Sequence, residues 1–322
     1  MLNISFGCIE DELQRVEEHF ETNLATETPL IYKVAKYVIS SGGKRLRPLL
    51  LIAASKLCGY TADAHIPLAA VIEFIHTATL LHDDVVDNAP LRRGKPSANI
   101  VFGNEASVLV GDYLFAKSFK ILSALNNPDI VKAYSDATTL MAEGEVKELV
   151  KTADITTTEE DYLDIIVKKT AVLFACASQA GAIIAGKNDR YIKRLYDYGL
   201  NIGIAFQLMD DALDYISNEE FGKFIGNDLK EGKLTLPLIH AIKRASEPEK
   251  DIISKIIYKK KLAKRDLKTA LDLVNGYESI EYTISKAKDA VLKAKKNLDI
   301  FPDSEYKISL MDIADYITER KL

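Results

Sequence analysis

Hydrophobic residues recur every three to four positions along almost the whole chain. This spacing predicts amphipathic α-helices, and the period of two that is typical of half-buried strands is not sustained anywhere in the sequence. Asn88–Asn99 is polar and predicts a loop. The predicted helices are Ile9–Leu24, Leu30–Ser40, Pro48–Leu57, Ile66–Asp87, Glu105–Leu125, Asp129–Lys151, Thr158–Gly186, Asp189–Ile216, Leu234–Arg244, Glu247–Ile257, Lys264–Val274, Glu278–Leu298 and Glu305–Glu319.

The organisation of the chain follows from this pattern. No strands alternate with the helices, and no segment rich in Pro, Gly or Ser divides the sequence. Of 322 residues, 48% are hydrophobic and 28% are charged, which excludes a disordered protein. We therefore expect an all-α fold, with residues 1–322 in a single domain.

Charge, cysteines and hydropathy exclude several classes of protein. The net charge of −5 gives no overall attraction to nucleic acid, so an anionic ligand needs a local basic cluster. Three cysteines, at positions 8, 58 and 176, fit neither a zinc site nor a disulfide framework. We find no apolar run of about 20 residues and no secretory signal, so we expect a cytoplasmic protein without an integral membrane segment.

One acidic pattern occurs twice, each time at the carboxyl end of a long apolar helix. The first copy is Asp83, Asp84 and Asp87, and the second is Asp210, Asp211 and Asp214. Residues four apart share a helix face, so three carboxylates are concentrated in each copy. Oxygen ligands of this kind suit Mg²⁺, which also binds substrate phosphates.

A solvated helix end is the alternative for either cluster. Carboxylates at a helix carboxyl terminus oppose the helix dipole, however, so capping does not explain them. Repetition of the pattern favours a metal site. Basic residues beside glycines, in Gly42–Pro48 and Arg92–Lys95, and again at Lys168–Thr170, Lys223 and Lys233, favour a second, directly bound diphosphate over scattered surface cations.

Four segments together resemble the trans-isoprenyl diphosphate synthases, the polyprenyl synthetase family, from about Leu30 to the carboxyl terminus. They are Gly42–Pro48 (GGKRLRP), Leu81–Ser97 (LHDDVVDNAPLRRGKPS), Gln207–Tyr215 (QLMDDALDY) and Gly226–Pro237 (GNDLKEGKLTLP). Asn88-Ala89-Pro90 replaces the acidic residues often found there, but it touches no metal position. The resemblance implies a helical bundle around a central cavity and favours a homodimer.

The resemblance also implies the reaction, a 1'-4 condensation of isopentenyl diphosphate with an allylic diphosphate such as farnesyl or geranylgeranyl diphosphate. Asp83, Asp87 and Asp210 would hold about three Mg²⁺ ions on the allylic diphosphate, assisted by Asp84, Asp211 and Asp214. The cations that would stabilise the leaving pyrophosphate are Arg92, Lys169, Lys223 and Lys233. The isopentenyl diphosphate subsite would comprise Lys44, Arg47, His76 and Arg93. Thr170 and Gln207 would line the path of the allylic cation.

Product length depends on the residues four and five positions before the first aspartate motif, Thr79 and Ala78. In this family, bulky residues there stop chain growth early. Since both are small, we expect a long product of about C30 to C45, with octaprenyl diphosphate for quinone side chains as the central expectation. Candidate residues for the tunnel floor are Phe74, Ile75, Tyr134 and Met141.

Three alternatives stay open at this point. A short-chain farnesyl or geranylgeranyl diphosphate synthase shares every motif above. A class I terpene cyclase usually carries a different second metal motif and needs no second diphosphate subsite, so Asp210–Asp214 and Lys44–Arg47 argue against it. A non-catalytic subunit of a heteromeric synthase is expected to lose metal carboxylates, and all six are present here.

Overall fold

The computed structural model describes residues 7, 9–216, 226–259 and 262–319. Within these residues the chain forms sixteen α-helices and one two-stranded hairpin. The helices are α1 (Glu10–Leu24), α2 (Pro29–Ser40), α3 (Leu46–Leu57), α4 (His65–Val86), α5 (Ala98–Phe102), α6 (Asn104–Ala124), α7 (Pro128–Lys151), α8 (Glu159–Ile166), α9 (Val172–Ile184), α10 (Asp189–Asp214), α11 (Asn227–Lys230), α12 (Leu236–Arg244), α13 (Glu247–Ile257), α14 (Lys264–Gly276), α15 (Ser279–Asn297) and α16 (Glu305–Glu319).

The prediction of an all-α fold is confirmed, and three local features differ from the predicted pattern. The segment 88–99 contains two short antiparallel strands, β1 (Leu91–Arg92) and β2 (Lys95–Pro96). The predicted helix from Thr158 to Gly186 contains a π-helical turn, Val167–Ala171, between α8 and α9. The short helices α5 and α11 have too few residues to show a hydrophobic period.

Contacts divide the chain into two compact units. Unit 1 comprises Met1–Thr138, Cys176–Tyr196 and Ile300–Asp312, and unit 2 comprises Thr139–Ala175, Asp197–Asp299 and Ile313–Leu322. Each unit is discontinuous in sequence, since the chain enters each of them more than once. The expectation of one domain over residues 1–322 stays a prediction.

The core of unit 1 is built around α4, which packs against α6, α3 and α1. Its apolar side chains are buried on nearly every face, because neighbouring helices cover it from several sides. Phe20 of α1 stacks on Phe74 of α4, with ring centroids 4.1 Å apart. The hydroxyl of Tyr134 donates to the carbonyl oxygen of Leu68 at 3.0 Å. Burial of each large apolar side chain stabilises the fold by about 1.5–3 kcal/mol.

Unit 2 contains α8 and the π turn, and α12 packs against α15, α14 and α8. A capping box fixes the start of α8, because the Thr158 hydroxyl accepts from the Asp161 backbone N–H and the Asp161 carboxylate accepts from that of Thr158.

One described segment, Glu159–Ile184, is long and apolar enough to cross a membrane. The protein interior buries 78% of its most apolar window. An apolar helix with this burial is a core helix, since its side chains contact other helices of the same chain.

Candidate active site

The first aspartate cluster lies at the end of α4 in unit 1. Asp83 and Asp87 are half-buried, and the backbone N–H of Asp87 donates to the carbonyl oxygen of Asp83 at 2.8 Å, one helical turn away. Asp84 is only 1% exposed and turns into the protein. The three predicted carboxylates therefore differ in exposure, since Asp83 and Asp87 keep solvent-exposed surface and Asp84 has almost none.

Asp84 is held by protein donors. Arg92 Nε donates to Asp84 Oδ1 at 2.6 Å, and the Asn99 side chain donates to the Asp84 carbonyl oxygen at 3.0 Å. Burial raises the pKa of Asp84, against the lowering effect of the Arg92 charge. The buried Asp84 Oδ2 has no protein donor. A cation would satisfy that oxygen, so the local chemistry fits a metal-binding role.

The hairpin β1–β2 determines where the two arginines that follow the cluster lie. Its turn residues Arg93 and Gly94 have φ angles of +53° and +78°. Two consecutive positive φ values are typical of a type I′ turn, whose twist matches that of the flanking strands. This turn directs Arg92 to Asp84, while Arg93 lies against the backbone of Gly43.

Four arginine side chains lie near His76 on α4 and form an arginine cluster. Burial, and then the charges of four arginines, hold the pKa of His76 well below its ordinary value, so its imidazole is neutral near pH 7. The four are Arg47, Arg93, Arg92 and Arg45. The structure thus brings together three residues predicted for the isopentenyl diphosphate subsite, Arg47, His76 and Arg93. Lys44 is exposed on the adjoining loop.

The second aspartate cluster lies at the end of α10 in unit 2, and it repeats the division seen in the first. Asp210 and Asp214 are half-buried, whereas Asp211 is 3% exposed. Tyr162 OH donates to Asp211 Oδ2 at 2.6 Å, and Gln207 Nε2 donates to Asp211 Oδ1 at 2.7 Å. Both oxygens of Asp211 therefore have protein donors. Burial raises the pKa of Asp211 to about 7, although both hydrogen bonds lower it.

Asp214 connects the cluster to α11. Its carboxylate accepts the backbone N–H groups of Asn227, at 3.2 Å, and Asp228, at 3.1 Å, at the start of α11. Burial raises the pKa of Asp214, and these two bonds oppose the rise. Asp228 itself was missed as a candidate, although it lies in the quoted GNDLKEGKLTLP segment. Burial and the charges of Asp211 and Asp214 raise its pKa well above the ordinary value.

Lys169 and Thr170 project from the π turn. Lys169 Nζ donates to Glu145 Oε2 at 2.8 Å and to Glu148 Oε2 at 2.7 Å. Lys233 Nζ lies 3.9 Å from Glu148 Oε2, so Glu148 is an acidic neighbour of both lysines. Thr170 donates to Gln207 Oε1 at 2.9 Å, which connects it through Gln207 to Asp211.

Two glycines allow the π turn to pack closely against α7 and α10. A Cβ on Gly144 of α7 would lie 2.6 Å from Lys169 N, and one on Gly203 of α10 would lie 2.4 Å from Ala171 Cα. Both distances are shorter than real Cβ contacts, so only glycine permits this packing. π turns inside α-helices occur frequently at functional sites, and here the turn carries two predicted site residues.

These side chains surround a cavity of about 130 Å³ in unit 2. Its polar lining combines acids, lysines and hydroxyls. The residues named above that line it are Glu148, Tyr162, Lys169, Thr170, Gln207, Asp211, Asp228 and Lys233. Lys223, predicted to stabilise the leaving pyrophosphate, lies outside the described residues.

Within the part of the chain that the structure describes, no group of three or more Asp, Glu, His or Cys residues forms a metal site by itself. Mg²⁺ is commonly held by one or two carboxylates, with waters and substrate phosphates completing its coordination. The accessible Asp83 and Asp87 of unit 1, and Asp210 of unit 2, fit that incomplete type of site.

We expect the Tyr162 hydroxyl to stabilise the fold through Asp211. At pH 8, above the Asp211 pKa of about 7, Tyr162→Phe should lower the free energy of unfolding by about 1–3 kcal/mol, because one buried carboxylate oxygen loses its donor. Urea denaturation without divalent metal measures this loss.

Tyr277→Phe is the matched control. Tyr277 OH donates to Glu249 Oε2 at 2.8 Å, where water can replace the lost bond, so we expect a loss below about 0.5 kcal/mol. Equal losses in the two variants would show that burial of the Tyr162–Asp211 bond adds nothing.

Comparison with known proteins places this site in a family. The polyprenyl synthetase family model matches residues 28–274. The chain belongs to the polyprenyl synthetase family. The octaprenyl diphosphate synthase of Haemophilus influenzae is 40% identical over 311 residues, covering 96% of this chain and 94% of that protein. The octaprenyl diphosphate synthase of Escherichia coli is 41% identical over 298 residues, 92% of each chain.

A solved structure supports the same assignment. The crystal structure of a polyprenyl synthase from Caulobacter crescentus, complexed with calcium and isoprenyl diphosphate, has a TM-score of 0.94 and 41% identity to this chain. The match covers 98% of this chain and 97% of that one. As a polyprenyl synthetase, the protein is a prenyltransferase of the isoprenoid pathway, and the family uses a divalent metal.

Proposed function

We propose that this polyprenyl synthetase makes a long-chain all-trans polyprenyl diphosphate, with octaprenyl diphosphate as its product. It would add isopentenyl diphosphate repeatedly to farnesyl or geranylgeranyl diphosphate for a quinone side chain. The observation that carries the proposal is the arginine cluster around His76 in a chain that also has two carboxylate clusters. The two kinds of residue offer two ways of binding a diphosphate, directly and through metal.

The proposed metal ligands are the accessible carboxylates Asp83, Asp87 and Asp210. Asp84, Asp211 and Asp214 would support them, since protein donors already hold at least one oxygen of each. When bound, about three Mg²⁺ ions would neutralise the allylic diphosphate and stabilise the charge of the leaving pyrophosphate. The calcium in the Caulobacter crescentus complex supports divalent metal binding by this family.

The remaining site residues would act on the two substrates. Lys169, Lys233 and Lys223 would donate to the leaving pyrophosphate, and Arg92 would do so from the hairpin. Thr170 and Gln207 would present oxygen atoms along the path of the allylic cation, where partial negative charge is favourable. No side chain is assigned as a dedicated base, so the released pyrophosphate would accept the final proton.

The isopentenyl diphosphate subsite would comprise Lys44, Arg47, His76 and Arg93. Arginine forks match diphosphate oxygens in geometry, and the neutral imidazole of His76 can donate one N–H without adding charge. Holding this substrate against the allylic carbon replaces a bimolecular encounter with a positioned one.

The proposed length of the polyprenyl product rests on residues of α4. Ala78 is completely buried, and the Thr79 hydroxyl donates to the His76 carbonyl oxygen at 2.8 Å, so neither projects a bulky group. Octaprenyl diphosphate synthases among the relatives agree with a long product. The candidate floor residues on α4, Phe74 and Ile75, are buried, as are Tyr134 and Met141.

We also propose a cytoplasmic homodimer. In unit 1, α5 and α6 expose four large apolar side chains: Ile100, Val101, Val108 and Leu109. Leu109 is 66% exposed, and clustered apolar exposure of this kind is typical of a protein interface. A second copy of the chain would cover these side chains.

The test is incubation of the purified protein with radiolabelled isopentenyl diphosphate, farnesyl diphosphate and Mg²⁺, followed by chromatography of the dephosphorylated products. We expect products centred on about eight isoprene units, or about C40. One turn of a helix, about 5.4 Å, spans roughly one isoprene unit, so the depth of the tunnel limits the number of units. Geranylgeranyl diphosphate alone would contradict the long-chain assignment. Hydrocarbon release from farnesyl diphosphate without isopentenyl diphosphate would contradict the synthase assignment itself.

A further inference from the structure

Arg45 of the Gly42–Pro48 loop is paired with two carboxylates. Its backbone has a φ of +50°, a left-handed conformation that is uncommon for a residue with a side chain. Arg45 Nε donates to Glu17 Oε1 at 2.7 Å, and Arg45 Nη1 donates to Glu73 Oε2 at 3.0 Å. These two carboxylates bind different edges of its guanidinium group. We therefore expect that Arg45 does not bind a substrate.

Glu73 is a buried carboxylate on the central helix of unit 1. Its side chain is 7% exposed, and it precedes His76 by three residues, so both lie on one face of α4. A charge in such a place is costly unless it is paired, and Arg45 supplies the partner. The proposed function gives this carboxylate no role.

The carboxylate lies among closely spaced positive groups. A Cβ on Gly43 would be 3.3 Å from Arg93 Nη1 and 3.5 Å from Arg45 Nη1, so both guanidinium groups lie against the same short stretch of backbone. The Glu73 charge favours the charged form of Arg93, against burial and the charges of Arg92 and Arg45. Glu73 thus offsets repulsion between neighbouring arginines before any diphosphate is bound.

We propose that Glu73 and Arg45 are positioning residues for isopentenyl diphosphate. Their ion pair would fix the Gly42–Pro48 loop to α4, so that Arg47 and Arg93 face the same diphosphate. Arg45 would contact no substrate, although it carries the same positive charge as Lys44 and Arg47, the proposed diphosphate ligands of the same segment. This inference rests on the proposed isopentenyl diphosphate subsite.

The test is the steady-state kinetics of Glu73→Gln, a change that keeps the size of the side chain and removes its charge. We expect the KM for isopentenyl diphosphate to rise about tenfold, because a charged hydrogen bond contributes about 1.5–3 kcal/mol. The KM for farnesyl diphosphate should change less than about twofold, since the allylic diphosphate binds elsewhere. Arg45→Lys, which keeps the charge but only one donor edge, should show part of the same effect.

Glu12→Gln controls for a purely structural role. Glu12 of α1 pairs with Lys56 of α3 at 2.8 Å, and both side chains are largely buried, as in the Arg45–Glu73 pair. We expect this variant to lose thermal stability without a change in either KM. If Glu73→Gln fails to fold, Glu73→Asp carries the test, since it keeps the charge and shortens the reach.

Arg47→Gln and Arg93→Gln separate failure of this inference from failure of the proposed function. If they raise the KM for isopentenyl diphosphate while Glu73→Gln and Arg45→Lys do not, the positioning role is wrong and the subsite stands. If none of the four variants changes that KM, the subsite assignment is wrong as well. Equal effects of Glu73→Gln on both substrates would also overturn the inference, since they would indicate general loss of structure.

Discussion

Replacing Asp83 with alanine is expected to lower turnover about a thousandfold, because the variant loses an accessible carboxylate of the proposed metal site. Asp210→Ala should have an effect of similar size. Both side chains are half-buried, so neither replacement leaves a large cavity, and folding should be retained. Incorporation of radiolabelled isopentenyl diphosphate at saturating Mg²⁺ measures the loss.

Asp303→Ala is the matched control for the two aspartate variants. Its side chain is fully exposed and accepts from Lys307 Nζ at 3.0 Å just before α16. We expect its turnover to equal that of the unchanged protein. Retained turnover in Asp83→Ala and Asp210→Ala would contradict the metal assignment, whatever the outcome for chain length.

Ala78→Tyr is expected to shorten the product from about C40 to about C20, one addition beyond farnesyl diphosphate, since a phenol ring at this turn of α4 would fill the proposed path of the growing chain. Ala78 has no exposed surface, so the ring must occupy space beside α4. Chromatography of dephosphorylated products measures the shift in length. The rate of the first addition of isopentenyl diphosphate should fall much less, because the residue contacts neither diphosphate in the proposed site.

Ala78→Ser serves as the control, because it changes polarity at the same position without adding a ring. Its product length should stay unchanged. Circular dichroism establishes whether the tyrosine variant folds, and Thr79→Tyr, at a half-buried position, tests the same path with less crowding. Unchanged products in folded Ala78→Tyr and Thr79→Tyr would refute the tunnel assignment.

Much of the fold could be predicted because its helices are long and periodic. The bounds of α4, α7 and α13 differ by at most one residue from the predicted ones at either end. The π turn was not predicted, because Val167–Ala171 has no composition that distinguishes it from an α-helix. It packs closely against Gly144 and Gly203, and the local pattern does not indicate these contacts.

For the candidate site, residue types could be predicted but their division of roles could not. Asp83 and Asp84 are neighbours of identical chemistry, and only their orientation shows that one is accessible while the other binds Arg92. Of the two partners of Asp211, Tyr162 could not be predicted, because it occupies an ordinary position of an amphipathic pattern. Hydrogen bonds across 49 residues leave no trace in local spacing.

The hairpin between α4 and α5 has a thermodynamic consequence. Arg92 and Arg93 are consecutive, yet Arg92 binds Asp84 of the aspartate cluster while Arg93 lies against the backbone of Gly43. The hairpin backbone joins the two residues, so a movement of the hairpin would displace both guanidinium groups. Occupancy by either substrate is therefore expected to alter the affinity for its co-substrate, and by linkage the factor must be the same in both directions.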